Sequence, residues 1–248
     1  MQLSSSQLEK FREDGFLVIR NFLDDKSCDV IREIAEVHLK YKIEPIETEY
    51  EYIGIEKDEY KQSIRRLRQV YDRDIVFKNW MENREIRPIL KQILGEDIIL
   101  LTAHHNSIMT KLAKTSTHTS WHRDSRYWHF EGKNLVSVWL ALGKESSENG
   151  VLEFIPKSHK MEIAEESFDE KSFFREDYKI NRDLIKQKLF FTLQKGDVVL
   201  FHSELLHRAN ANLSTQDKIS FVYTVKGKSV KTIDGTRSSK FKEIELFL

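Results

Sequence analysis

Thr119-Ser120-Trp121-His122-Arg123-Asp124-Ser125-Arg126-Tyr127-Trp128 is the stretch on which the reading of this chain turns. Its aromatic residues favour an extended backbone. Along a strand, side chains alternate faces, so His122 and Asp124 are expected to point one way and Arg123 the other. One imidazole and one carboxylate side by side make two thirds of the two-histidine, one-carboxylate triad that holds non-haem iron(II) and keeps positions open. A lone His-x-Asp tripeptide also arises as an ordinary surface ion pair. The rest of the chain has to supply a third ligand and a sheet to carry it.

Outward from this stretch the pattern is one of strands. After Gly95, runs 98–101, 135–142, 151–155, 189–193, 198–202 and 219–225 are short, β-branched or aromatic, and divided by turn signals. Asn149-Gly150 and Lys195-Gly196-Asp197 supply the positive φ that tight turns need. No helical pattern links most consecutive strands, so the sheet is expected to be largely antiparallel, folded as a sandwich or barrel. Residues 161–188 are charged and aromatic at once and too long for a simple hairpin, which suits a lid over a pocket mouth or a cover for a sheet edge.

Before Gly95 the periodicity is helical. Ser6-Gln7-Leu8-Glu9 matches a capping box for a helix ending near Gly15, and Phe16-Leu17-Val18-Ile19 reads as a buried strand. Asp24 or Asp25 caps a second helix with an apolar stripe of Val30, Ile31, Ile34, Ala35 and Leu39. Residues 41–60 are polar and tyrosine-rich, which reads as a solvated or substrate-covering loop. Arg65-Arg66-Leu67-Arg68 reads as a solvated helix face. Residues 74–94 form one further core-facing helix or two short ones.

Composition narrows the function. Lys plus Arg and Asp plus Glu both number 40 in 248 residues, so the net charge is zero and no broad basic face for nucleic acid or acidic lipid is expected. The single cysteine, Cys28, forms no internal disulfide and fits a reducing compartment, with the cytoplasm as the default. No secretory signal is visible, and no run approaches the roughly 18 apolar residues of a membrane span. The length suits one domain, 1–248, with a mainly helical part (1–95) packed on a strand-rich core (96–248) that carries the 161–188 excursion.

Four further segments follow His122-x-Asp124 in order: Val136-Ser137-Val138-Trp139-Leu140-Ala141-Leu142, then Glu148 to His159 with its Asn149-Gly150 and Pro156-Lys157-Ser158-His159, then Gly196-Asp197, then Phe201-His202-Ser203-Glu204-Leu205-Leu206-His207. With the opening Phe11-Arg12-Glu13-Asp14-Gly15-Phe16, this set resembles the phytanoyl-CoA dioxygenase family of iron(II) and 2-oxoglutarate-dependent oxygenases. The resemblance implies an all-β core with flanking α-helices: a double-stranded β-helix, or cupin-like jelly roll. It implies His207 as the third ligand, with His122 and Asp124, and leaves His202 as a pocket-lining or structural residue. It implies Fe(II), 2-oxoglutarate and O2 as the reacting set, with a small molecule hydroxylated and succinate and CO2 released.

Lys218 stands where the family usually has arginine. On an extended strand Lys218 and Ser220 share a face, while Ile219, Phe221 and Tyr223 fill the other, so a cation and a hydroxyl are expected at the distal carboxylate of 2-oxoglutarate. Trp139 is expected beside the same ligand, between Ser137 and Ala141. Lys111 is expected by analogy at the inner carboxylate, and His159 near the metal. His104, His105 and His118 read as bystanders. Two rival readings remain: a non-catalytic jelly-roll module that binds a ligand or metal, and a zinc-dependent hydrolase, since the same ligands accept zinc.

Overall fold

The computed structural model describes residues 1–248. Helix α1 (Ser5–Asp14) is capped by Ser4, whose hydroxyl accepts from the Gln7 amide while the Gln7 side chain returns the bond. The capping box therefore lies two residues earlier than Ser6–Glu9. Buried Leu3, whose amide donates to Gln92 Oε1 at 2.8 Å, fixes the earlier start. Strand β1 (Phe16–Ile19) follows, then helix α2 (Asp25–Lys40), capped by Asp24. Helix α2 buries Cys28, Ile31 and Ala35; Val30, expected in the stripe, is exposed.

Residues 41–68 depart most from expectation. They contain strand β2 (Ile46–Thr48), helices α3 (Glu49–Ile53) and α4 (Asp58–Gln62), and strand β3 (Ile64–Arg68). The Arg65–Arg68 cluster is thus a strand and not a solvated helix face. Ile64 and Leu67 join the core, and β-pairing with a neighbouring strand outweighs the local helical preference of three arginines. Helices α5 (Ile75–Met81) and α6 (Arg87–Leu94) complete the helical layer, as two short helices.

The remaining strands are β4 (Ile98–Lys111), β5 (Thr119–His122), β6 (Phe130–Glu131), β7 (Leu135–Ala141) and β8 (Leu152–Phe154). After helix α7 (Lys179–Ile185) come β9 (Leu189–Phe190), β10 (Val198–His202), β11 (His207–Ala209), β12 (Lys218–Gly227), β13 (Lys231–Thr232) and β14 (Glu243–Leu246). The major sheet runs β1-β10-β7-β12-β4-β3-β2, with β14 beside β4, and the minor sheet runs β5-β11-β8-β9. All the paired strands are antiparallel. This is the jelly-roll core, and β1 to β3 extend its major sheet from the part expected to be mainly helical.

Alternation along β12 shows how one sequence serves two layers. Ile219, Phe221, Tyr223 and Val225 face the helices, where Phe221 packs edge-on to Phe77 and Tyr223 to Trp80. Lys218, Ser220, Val222 and Thr224 face the space between the sheets. A second cluster, including Phe16, Trp139, Leu152, Phe154, Val199 and Phe201, fills part of that space. At Gly150 φ is +80°, and a Cβ there would lie 2.3 Å from Asn210 O, so only glycine lets the β7–β8 connection pass the minor sheet. The 161–188 excursion packs Phe168, Phe174, Leu184 and Ile185 over Trp121, Ile155 and Leu206. No helix is long and apolar enough to cross a membrane.

Candidate metal centre and cavity

Strands β5 and β11 pair side by side with His122 directly opposite His207. This register sets the two imidazoles 4.3 Å apart, centroid to centroid. Each ring is oriented by the same local device: His122 Nδ1 lies 2.8 Å from Ser120 O, and His207 Nδ1 lies 2.9 Å from Leu205 O. A carbonyl oxygen only accepts, so each Nδ1 carries the proton and, in the neutral ring, each Nε2 keeps its lone pair. Both lone pairs face Asp124: Oδ1 is 3.7 Å from His122 Nε2 and 3.3 Å from His207 Nε2.

Asp124 does not continue the strand. It opens a 3-10 turn, Asp124–Tyr127, so its approach to His122 comes from that turn and not from the strand alternation expected for His-x-Asp. Its Oδ2 accepts from Ser137 Oγ at 2.7 Å and stands 3.1 Å from His105 Nδ1. Oδ1 is fully buried without a hydrogen-bond partner. Burial alone would raise the Asp124 carboxyl, but His105 and His207 overturn that and hold it well below the usual carboxylate range. Burial, then the neighbouring His207, pushes His122 well down. An orphaned carboxylate oxygen facing two imidazole lone pairs is a donor set short of one cation. The three ligand atoms lie within 4.8 Å of one another, and all three residues are buried, so His122, Asp124 and His207 could hold a metal ion.

A cavity of about 120 Å³ opens on this centre. Met109, Trp139, Leu152, Phe201 and Val222 give it apolar walls, and Arg65, Arg66, Lys111, Arg208 and Lys218 bring cations to it. Lys218, Ser220 and Trp139 all meet one residue that sequence reading missed. Glu145, fully buried, accepts from Lys218 Nζ at 3.1 Å through Oε2, and from Ser220 Oγ at 2.7 Å and Trp139 Nε1 at 3.1 Å through Oε1. Lys111 lies directly across from Lys218 in the β4–β12 register, and its ammonium donates to Thr117 O and Thr119 Oγ1.

Two histidines stand elsewhere than expected. His159 does not line the cavity: it packs against His202, ring centroids 5.3 Å apart, with Nε2 3.2 Å from Arg12 O beside α1. His202 likewise lies off this cavity, its Nδ1 accepting from the Glu204 amide at 3.1 Å. His105, expected as a bystander, lines the cavity at Asp124 because β4 bulges where the register to β12 slips between Tyr223 and Thr224. Arg65 was missed as well: it is buried, donates to Glu49 at 3.0 Å and Thr119 Oγ1 at 2.6 Å, and stacks on Tyr52. Sequence carries no local signal for either, since both positions depend on cross-strand register.

The family model for phytanoyl-CoA dioxygenase (PhyH) matches residues 11–220. The human peroxisomal phytanoyl-CoA dioxygenase is 28% identical over 225 residues, covering 85% of this chain and 64% of that protein, so the chain spans just under two thirds of that relative. Ectoine dioxygenase of Bordetella bronchiseptica is 24% identical over 228 residues, covering 86% of this chain and 71% of that protein. Among solved structures, EctD from S. alaskensis with bound Fe aligns with a TM-score of 0.77 at 19% identity, over 93% of this chain and 79% of that one. The alpha-ketoglutarate-dependent carbocyclase SnoK aligns with a TM-score of 0.76 at 20% identity, over 96% and 89%. With the family model spanning most of its length and the His-Asp-His cluster on the expected fold, the chain belongs to the phytanoyl-CoA dioxygenase family of iron(II) and 2-oxoglutarate-dependent oxygenases.

Proposed function

We propose that this chain, as one domain over residues 1–248, is a non-haem iron(II) and 2-oxoglutarate-dependent dioxygenase that hydroxylates a small molecule. The observation that carries the reading is the pair of imidazoles with Nδ1 pinned by carbonyls and Nε2 aimed at the unpartnered Asp124 Oδ1. His122, Asp124 and His207 would hold the iron, and the cosubstrate would lie in the cavity toward Trp139 and Lys111, beside the Lys218–Glu145 ion pair. Iron(II), 2-oxoglutarate and O2 together supply an oxidant strong enough to hydroxylate a C–H bond while the 2-oxo acid leaves as succinate and CO2.

The chain's own residues orient and exclude. Ser137 holds Asp124 Oδ2, leaving Oδ1 as the oxygen that would meet a metal. Met109, Leu152, Phe201 and Val222 keep water from the cosubstrate. Tyr127, whose ring lies 5.2 Å from His105 and 6.0 Å from His122, and the Arg65–Tyr52 stack present polar and aromatic surface to a substrate beside the metal. A lone buried thiol, Cys28, pushed up to about 12 by burial, suits a reducing compartment such as the cytoplasm.

The test is anaerobic. Adding iron(II) and then 2-oxoglutarate is expected to raise a weak visible charge-transfer band, and admitting air to release succinate. No band and no succinate would leave the binding-module reading in its place.

A further inference from the structure

Five cations line the cavity, and four of them already face a carboxylate. Arg65 pairs with Glu49 at 3.0 Å, Arg66 pairs with Glu47, Arg208 pairs with Glu153 at 2.7 Å, and Lys218 pairs with Glu145 at 3.1 Å. Lys111 has no carboxylate within ion-pairing distance; its ammonium meets only the Thr117 carbonyl and the Thr119 hydroxyl. It is 5% exposed, so the charge is held away from water without a counter-ion. Burial, then the nearby Arg65, outweighs the more distant Glu49 carboxylate and pushes its ammonium well below the usual lysine range, a penalty that an arriving anion would offset.

Lys218 is placed differently. Glu145 is fully buried and takes donors on both oxygens, from Lys218, Ser220 and Trp139. A second carboxylate docking on Lys218 would meet that first one at close range inside a low-dielectric wall, where like charges repel strongly. Lys111 faces the same cavity from the neighbouring strand, as the direct cross-strand partner of Lys218.

Resting on the dioxygenase reading above, we infer that Lys111 supplies the charge that anchors the distal carboxylate of 2-oxoglutarate, and that Glu145 has neutralised Lys218 for this purpose. Charge balance agrees. A ferrous ion with one carboxylate ligand and two neutral imidazoles carries one net positive charge, and Lys111 adds a second. Together they match a dianionic cosubstrate, whereas an unneutralised Lys218 would leave one buried charge in excess. Glu145 is then a specificity-determining residue: it shifts the anchor from one strand to the next.

The experiment is calorimetric titration of the anaerobic iron(II)-loaded protein with 2-oxoglutarate and, separately, with 2-oxobutanoate, which has no distal carboxylate. Lys111→Met is expected to weaken 2-oxoglutarate at least about tenfold, the scale of one charge-assisted contact. The same variant is expected to leave 2-oxobutanoate within about twofold, which also reports that the variant is folded and metal-loaded. Removing the neutral pair together, Lys218→Met with Glu145→Met, is expected to weaken 2-oxoglutarate by no more than about threefold. Tight 2-oxoglutarate binding unchanged in Lys111→Met, or a loss in the double variant as large as that in Lys111→Met, overturns the assignment and leaves the dioxygenase reading standing. Failure of both 2-oxo acids to bind the iron-loaded wild type overturns the dioxygenase reading itself.

Discussion

The two ends of the cavity are built by opposite means. At the metal end each histidine is oriented by the carbonyl two residues before it, Ser120 for His122 and Leu205 for His207. At the far end Lys218 is held by Glu145, 73 positions away in sequence. A local device travels with its motif, while a long-range one exists only once the sheet has closed. The family model spans both ends, and the far end carries the departure already visible in sequence, Lys218 where the family usually has arginine.

The largest contrast between the ends should appear in Asp124→Ala. It removes the only carboxylate of the cluster, and metal affinity, measured by competition with a chelator, is expected to fall at least about a thousandfold, about 4 kcal/mol at 1.4 kcal/mol per tenfold. Retained affinity would mean that the cluster is not the metal site. Next comes Glu145→Gln at the far end. Leaving the Lys218 ammonium buried and unpaired should cost about 3 kcal/mol of stability, lowering Tm by roughly 6–12 °C. Metal affinity should meanwhile stay within about threefold; if it falls with Tm, the two ends are not separable.

Ser137→Ala sharpens the metal end alone. Freeing Asp124 Oδ2 from its 2.7 Å bond should reduce metal affinity by about tenfold, the usual scale for a group that orients a ligand. An unchanged value would show that His105 suffices to hold the carboxylate.

The smallest effect lies behind both ends. Burial, then His159, lowers His202 from its usual 6.5 to about 4. The unfolded chain therefore binds the extra proton first, so stability is full above about pH 6.5 and declines as pH falls toward 4. Urea midpoints across that window should show the slope, and His202→Gln should flatten part of it. A His202→Gln profile parallel to the wild type would mean that His202 titrates normally.

How much could be read in advance follows the same division. The alternation of Lys218, Ile219, Ser220 and Phe221 assigned both faces of β12 before any pairing was known, because strand period is a local property. His207 came from the family resemblance, and the β5–β11 register sets it opposite His122. Arg65 to Arg68 misled because three arginines in four residues look solvated, and only the acids Glu47 and Glu49 and the pairing with β4 make a strand of them. His105 and Glu145 were invisible for a related reason: one reaches the cavity through a bulge, the other through a turn after β7. Neither leaves a periodic trace.

Trp139 turns the far end into something that can be watched. Its indole N–H is bound to the Glu145 carboxylate, and the Lys218 ammonium lies 4.9 Å from the ring, all inside the cavity wall. Excited indole emission responds to the field of nearby ions, so a doubly charged acid arriving beside this residue should change the protein's intrinsic fluorescence. With only four tryptophans in the chain, a Trp139→Phe control would isolate that signal, giving an optical gauge of occupancy that needs neither dye nor turnover.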